Sequence, residues 1–100
     1  MASGSFYVAT VATITRVASA NTDTLILAAN NTRKGMYLFN ESTAVLVLSL
    51  GVASGAIGTG PYTVQVGAGA FFELPWPSFI GAIRGQWSAV NGAAQVTELT

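Results

Sequence analysis

The chain has 100 residues, of which 51% are hydrophobic and only 8% are charged, and its formal net charge at pH 7 is zero. It contains no His and no Cys, so many of the side chains that serve acid–base catalysis, covalent catalysis and metal binding are missing. Composition therefore argues against an enzyme, against a disulfide scaffold and against a bound cofactor or metal. A chain of this length is expected to form one domain.

The scarcity of charge also bears on the state of association. Soluble domains usually carry about 25% charged residues and a net charge away from zero, and this chain has neither. We therefore expect the surface to be covered by other subunits, and we expect a homo-oligomer, most simply a trimer.

Nucleic acid and membrane are not expected as partners. The four basic residues make no cluster beyond one adjacent pair; they are Arg16, Arg33, Lys34 and Arg84. No apolar run reaches the roughly 18 residues that a membrane helix needs. The small residues at 18–20 have the form of a signal-peptidase site, but no basic residue precedes them and three Thr interrupt the apolar stretch. We expect no signal peptide.

The N-terminal segment differs from the rest of the chain. Residues 1–7 are small and uncharged apart from two adjacent aromatics, Phe6 and Tyr7. A small domain is not expected to hold such a segment rigidly, although the segment can become ordered on a neighbour. We therefore expect a flexible arm at residues 1–7 and a folded domain at residues 8–100.

The folded domain is predicted to consist of strands only. β-branched residues dominate it, and no segment has the apolar spacing of an amphipathic helix. Turn residues separate about eight predicted strands, at residues 8–17, 24–29, 35–39, 44–50, 62–66, 70–74, 81–88 and 94–99. Short strands at this spacing predict an all-β, single-domain antiparallel β-sandwich of jelly-roll-like form.

Two of these segments have further consequences. Residues 44–48 are apolar at every position, so this strand is either covered on both faces or offers one face to a neighbouring subunit. Residues 51–60 contain four Gly and no charge, which predicts a long loop. They lack the Lys, followed directly by Ser or Thr, of a phosphate-binding loop.

The Asn91-Gly92 pair predicts a two-residue type I′ hairpin between the last two strands. That register places Trp87 opposite Val96 and Glu98 opposite Gly85, with Glu98 at the rim of the core. Taken with the alternation of the other strands, it predicts a core of Leu38, Leu46, Leu48, Val64, Phe72, Leu74, Ile83, Trp87 and Val96.

The segment around Pro77 is the candidate interaction site. Trp76 and Phe79 flank that Pro in a stretch that cannot run as a regular strand, so their rings serve either an interface or the core. We assign Trp76, Phe79 and Ile80 to an interface, together with Phe6 and Tyr7 of the arm. The four acids, Asp23, Glu41, Glu73 and Glu98, lie in no recognisable catalytic motif and are assigned to turns and solvated positions.

The second half of the chain carries a more specific pattern. Residues 40–48, 62–64 and 71–75 lead to Gly81-Ala82-Ile83-Arg84-Gly85-Gln86-Trp87, and then to Asn91-Gly92-Ala93-Ala94-Gln95-Val96-Thr97-Glu98. Across about residues 33 to 99 the chain resembles a family of small virion structural proteins of tailed bacteriophages and prophages. No catalytic residues come with this resemblance.

The resemblance implies a non-enzymatic virion component, either a head decoration (cement) protein or a base for head fibres. Its partners would be the major capsid protein or other virion proteins. It would be made in the cytoplasm of the host bacterium and reside on the outer surface of the head. Two alternatives stay open. One is a tail or neck structural subunit, and the other is a carbohydrate-binding tip module that stacks sugars on Trp76, Phe79 and Tyr62.

Overall fold

A computed structural model describes residues 8–100, so the expected arm with Phe6 and Tyr7 lies outside the described residues. Eight strands are present, as predicted: β1 (Ala12–Ala18), β2 (Thr24–Leu27), β3 (Gly35–Asn40), β4 (Leu46–Leu50), β5 (Val64–Val66), β6 (Phe71–Glu73), β7 (Ile83–Trp87) and β8 (Ala93–Leu99). Most are shorter than the apolar segments that predicted them, because flanking apolar residues continue into loops without a ladder partner. No helix occurs within residues 8–100.

The strands form two antiparallel sheets of four, in the orders β1-β8-β3-β6 and β2-β7-β4-β5. Within these sheets β1 pairs with β8, β2 with β7, β3 with β6, and β4 with β5. This is the pattern of one long hairpin wound around a barrel axis, so the chain has the jelly-roll arrangement of a β-sandwich. We call the two sheets the β1 sheet and the β2 sheet.

The core lies between the two sheets and largely matches the predicted set. Seven of the nine predicted residues are buried, and Val64 and Phe72 are half-buried. Met36 and Ile26 join them in one cluster. In β3 and β7 buried residues alternate with more exposed ones, which is the period expected of strands that face a core on one side.

Strand β4 is covered on both faces. Leu46 and Leu48 point into the core, whereas Val47 lies on the outer face of the β2 sheet and is 0% exposed. The Ser54 N–H donates to Asp23 Oδ1 at 2.9 Å, so the loop that follows β4 crosses this outer face toward the start of β2. Of the two alternatives for residues 44–48, the structure selects the strand with cover on both sides.

The predicted hairpin at Asn91-Gly92 is wrong. Strands β7 and β8 belong to different sheets, and Val96 lies opposite Leu38 and Thr15 instead of Trp87. Among residues 8–100 only Gly residues have positive φ, so Asn91 cannot take part in a type I′ turn. The segment carries the chain from one sheet to the other.

Gly92 is nevertheless required at that crossing. It has a φ of 149°, and a Cβ there would lie 2.7 Å from the Ser42 Cα. Glu98 lies opposite Met36, not Gly85, and its carboxylate binds Arg33 in place of open water.

Candidate functional site

The outer face of the β1 sheet carries an exposed aromatic surface. Tyr37 and Phe39 of β3 alternate with buried neighbours and point outward, beside Phe71 of β6. The Tyr37 and Phe71 rings stack with centroids 5.9 Å apart. Ile14 of β1 is 68% exposed. It lies two strands away from Tyr37 at the same level of the sheet, because both residues pair with Thr97 of β8. We call Ile14, Tyr37, Phe39 and Phe71 the outer aromatic face.

One end of this face is closed by a polar network. Arg16 Nε donates to Glu41 Oε1 at 2.8 Å, and Gln95 Nε2 donates to the same oxygen at 3.1 Å. Gln95 lies directly opposite both Arg16 and Phe39. The network therefore places one positive and one negative group at the edge of the aromatic residues, and their charges offset each other.

The other end opens into a cleft of about 390 Å³. Tyr37 and Trp76 line it as aromatic walls, and Lys34 and Glu73 contribute one charge of each sign. A smaller cleft of about 210 Å³ lies on the far side of Trp76. Trp76 is 64% exposed and precedes a cis peptide bond to Pro77. The clefts extend the outer aromatic face toward the β6–β7 loop.

A buried arginine holds the loop that carries Trp76. Arg33 Nη1 donates to the carbonyl oxygens of Phe79 and Gly81 at 2.8 and 2.9 Å, and Nη2 donates to the Ala28 carbonyl at 2.7 Å. Its Nε binds Glu98 at 2.8 Å. Because the guanidinium spans three segments of the chain, the position of the loop is fixed by the folded domain itself.

The structure separates the residues that were assigned to the interface. Trp76 and Ile80 are exposed, whereas Phe79 packs against the core and lies over Gly51 and Gly81. Tyr62 packs against Gly60, and its hydroxyl accepts a hydrogen bond from Gln65. Phe6 and Tyr7 lie outside the described residues. Among the assigned aromatics within residues 8–100, Trp76 is thus the one that adjoins the outer aromatic face.

Sequence reasoning missed the centre of this surface. Strand β3 is hydrophobic at four consecutive positions, so alternation could not distinguish its inner from its outer face. Finding this surface required knowledge of the pairing of β3 with β6, which brings Tyr37 and Phe39 beside Phe71. That pairing joins strands separated by two others in sequence, and local patterns do not encode it.

The acidic side chains are mostly engaged in ion pairs. Asp23 binds Arg84, Glu41 binds Arg16 and Glu98 binds Arg33, each at 2.8 Å. The hydrogen bond from the Ser54 N–H, assisted by Arg84, lowers the pKa of the Asp23 carboxyl below its ordinary value of 3.8. Glu73 differs, because it lines the large cleft and forms no ion pair with another residue of the described chain.

The arrangement is suited to binding through apolar contact. Within residues 8–100 no group of three or more acidic residues converges as a metal site would require, and no helix is long and apolar enough to span a membrane.

The chain matches no protein-family model, no curated protein and no solved structure.

Proposed function

We propose that this chain is a non-enzymatic structural protein of a tailed bacteriophage, and that it binds the outside of the assembled head as a decoration protein or as a base for head fibres. The observation that carries the proposal is the outer aromatic face, where four large apolar side chains lie exposed on one four-stranded sheet. Exposed apolar patches on such a scaffold mark interaction surfaces.

Three further features support a subunit that acts by attachment. The jelly roll is a common building element of viral shells and also of lectins, so the fold is compatible with the proposal without establishing it. The surface has few charges, and three of the four acids are already paired within the chain. Attachment over seams between shell subunits needs apolar and hydrogen-bonding surface and no chemistry.

The test uses heads from a phage that encodes this chain but from which its gene has been deleted. Purified protein is added back, and bound copies are counted by quantitative mass spectrometry and located by electron cryomicroscopy. We expect hundreds of copies on the head, and we expect decorated heads to disrupt at a higher temperature than bare ones. A copy number set by the portal ring would instead identify a neck or tail subunit.

Two substitutions test the surface itself. Phe71→Ser removes an exposed ring from the outer aromatic face, whereas Val90→Ser removes a similarly exposed apolar side chain from the β7–β8 segment. We expect Phe71→Ser to weaken binding to bare heads and Val90→Ser to leave it unchanged. Equal binding by both variants would remove the outer aromatic face from the interface.

The arm is tested separately. Deletion of residues 1–7, which include Phe6 and Tyr7, should leave the sandwich folded and weaken attachment to heads. Undiminished decoration by the shortened chain would mean that the arm has no part in binding.

The large cleft favours a second candidate, a carbohydrate-binding module. An exposed indole beside a carboxylate and an ammonium offers a stacking surface and polar partners for a sugar, and Trp76, Glu73 and Lys34 provide them here. A glycan array read with wild type and Trp76→Ala distinguishes the two candidates. Binding to glycans that is lost in the variant, together with a few copies at the tail tip, would replace the decoration role.

A further inference from the structure

Strand β1 is an edge strand without the usual protection against pairing. It is one of the two longest strands, runs in unbroken register with β8 over seven residue pairs, and contains neither Pro nor Gly. The other three edge strands are shorter: β5 and β6 have three residues each, and β2 has four with a register shift between Leu25 and Leu27. Short or irregular edges prevent sheet extension, and β1 is neither.

Hydrogen bonds to β8 alternate along β1, and this alternation identifies the open backbone groups of β1, meaning the N–H and C=O groups directed away from β8. Val11 and Thr100 exchange two hydrogen bonds, of 3.1 and 2.9 Å, and the Ser19 N–H donates to the Gly92 carbonyl in the same register. Because antiparallel ladders alternate, the odd-numbered residues of β1 bond to β8. The N–H and C=O groups of four residues therefore face away from β8, and none is paired with another residue of the described chain: Ala12, Ile14, Arg16 and Ala18.

The space beside this edge is open as well. Thr13 and Thr15 lie on the core side of the β1 sheet, opposite Glu98 and Val96, yet both are exposed. The β2 sheet therefore does not cover β1 at Thr13 and Thr15, and the middle of this edge is open on the core side.

We propose that β1 pairs antiparallel with β1 of a second copy of this chain about a two-fold axis through Thr15. In that register Ile14 lies opposite Arg16 of the second copy and Ala12 lies opposite Ala18, so all eight open backbone groups of each strand are paired. A shift by one hydrogen-bonding repeat in one direction would place the two Arg16 side chains opposite each other, which is unfavourable. The two β1 sheets become one eight-stranded sheet.

The sequence of the strand suits a second copy better than an unrelated partner. Arg16 is the only charged residue of β1, and its guanidinium is already bound by Glu41 on the outer face. Its aliphatic stem is free to pack on Ile14 of the second copy. Contact between identical strands is two-fold, so this pairing produces a dimer and not the trimer expected from composition.

Proline substitution tests the backbone contact in the full chain. Ile14→Pro removes an open N–H and no hydrogen bond to β8, whereas Ile14→Thr keeps the N–H and removes the apolar side chain. We expect sedimentation at high micromolar concentration to give a dimer for wild type and Ile14→Thr and a monomer for Ile14→Pro. A dimer in Ile14→Pro, or a monomer or trimer in wild type, would overturn the proposal.

Single cysteines test the register without relying on proline. The chain contains no Cys, so a disulfide formed by a single-cysteine variant must join two copies. Thr15 faces Thr15 of the second copy in a non-hydrogen-bonded pair with Cα atoms about 4.5 Å apart, which a disulfide can bridge. Thr13 residues lie roughly 13 Å apart in the same register.

On mild oxidation we expect Thr15→Cys to form a covalent dimer and Thr13→Cys, which is also exposed, to form little. Equal cross-linking of the two variants, or none in Thr15→Cys, would overturn the proposed pairing. This inference concerns the isolated protein and does not depend on the proposed role on the phage head.

Discussion

The guanidinium of Arg33 is completely buried and donates from Nε to Glu98 Oε2 at 2.8 Å, joining the β2–β3 loop to strand β8. Four of its five N–H groups have acceptors, since Nη1 and Nη2 bind three backbone carbonyls. Sequence reasoning noted Arg33 and Lys34 only as one adjacent basic pair and did not distinguish between them. Their environments differ, because Arg33 is buried among the carbonyl groups to which it donates, whereas Lys34 lines the large cleft.

Arg33→Met is expected to lower the free energy of unfolding by about 3 to 5 kcal/mol. The substitution leaves the Glu98 carboxylate and three carbonyls without their buried donor, which is more costly than loss of an exposed ion pair. Lys34→Met is the matched control, because Lys34 forms no ion pair with the described residues. Urea unfolding measures both, and similar midpoints for the two variants would contradict this prediction.

Asn40→Asp is expected to destabilise the fold by at least about 2 kcal/mol. Asn40 is 0% exposed, and its amide nitrogen donates to the carbonyl oxygens of Ala44, Val66 and Gly67. An aspartate cannot donate to any of them and places a charge in the core. Asn91→Asp changes an exposed amide that donates to Thr43 Oγ1, and its smaller effect on thermal unfolding provides the comparison.

Trp87→Ala is expected to cost about 3 to 5 kcal/mol, because the ring is 1% exposed and fills the space between the sheets. Trp76→Ala removes the other indole, which is largely exposed, and should cost about 1 kcal/mol or less. The chain has two Trp, so fluorescence of each variant reports on the remaining ring. Equal stability of the two variants would mean that Trp87 is not a core residue.

The sequence contained enough local signal for the strands and most of the core, and not enough for their pairing. Alternation in residues 62–66 and turn residues between segments located strands because both signals act over a few residues. The Asn91-Gly92 signal failed because it was read as joining neighbours in one sheet, whereas β7 and β8 lie in different sheets. A jelly roll pairs its first strand with its last, and local patterns do not specify such contacts.

The same limit explains the candidate site. Trp76 could be selected from sequence because Pro75 and Pro77 exclude a regular strand around it. Phe79 follows the same reasoning and packs against the core instead, since its ring covers Gly51, which is distant in sequence, as well as the nearby Gly81. Tyr37 and Phe39 could be assigned to the surface only once β3 was known to lie between β8 and β6.

Acid should release the loop that covers the outer face of the β2 sheet. The pKa of Asp23 is lowered mainly by the Ser54 N–H and further by Arg84. A carboxyl whose pKa is lowered by folding stabilises the folded state above its unfolded pKa, and this contribution disappears as the pH falls through the folded pKa. The loss should therefore begin near the ordinary value of 3.8 and continue below it.

Asp23→Asn isolates this contribution, because its amide oxygen can still accept from Ser54 but carries no charge for Arg84. We expect the difference in unfolding free energy between wild type and Asp23→Asn to shrink as the pH is lowered from about 5 to about 2. Glu73→Gln also removes one carboxylate, at an exposed position without an ion pair in the described chain, and serves as the control for the loss of one negative charge. A wild-type advantage that persists unchanged at the lowest pH would mean that the ionised Asp23 does not hold the loop.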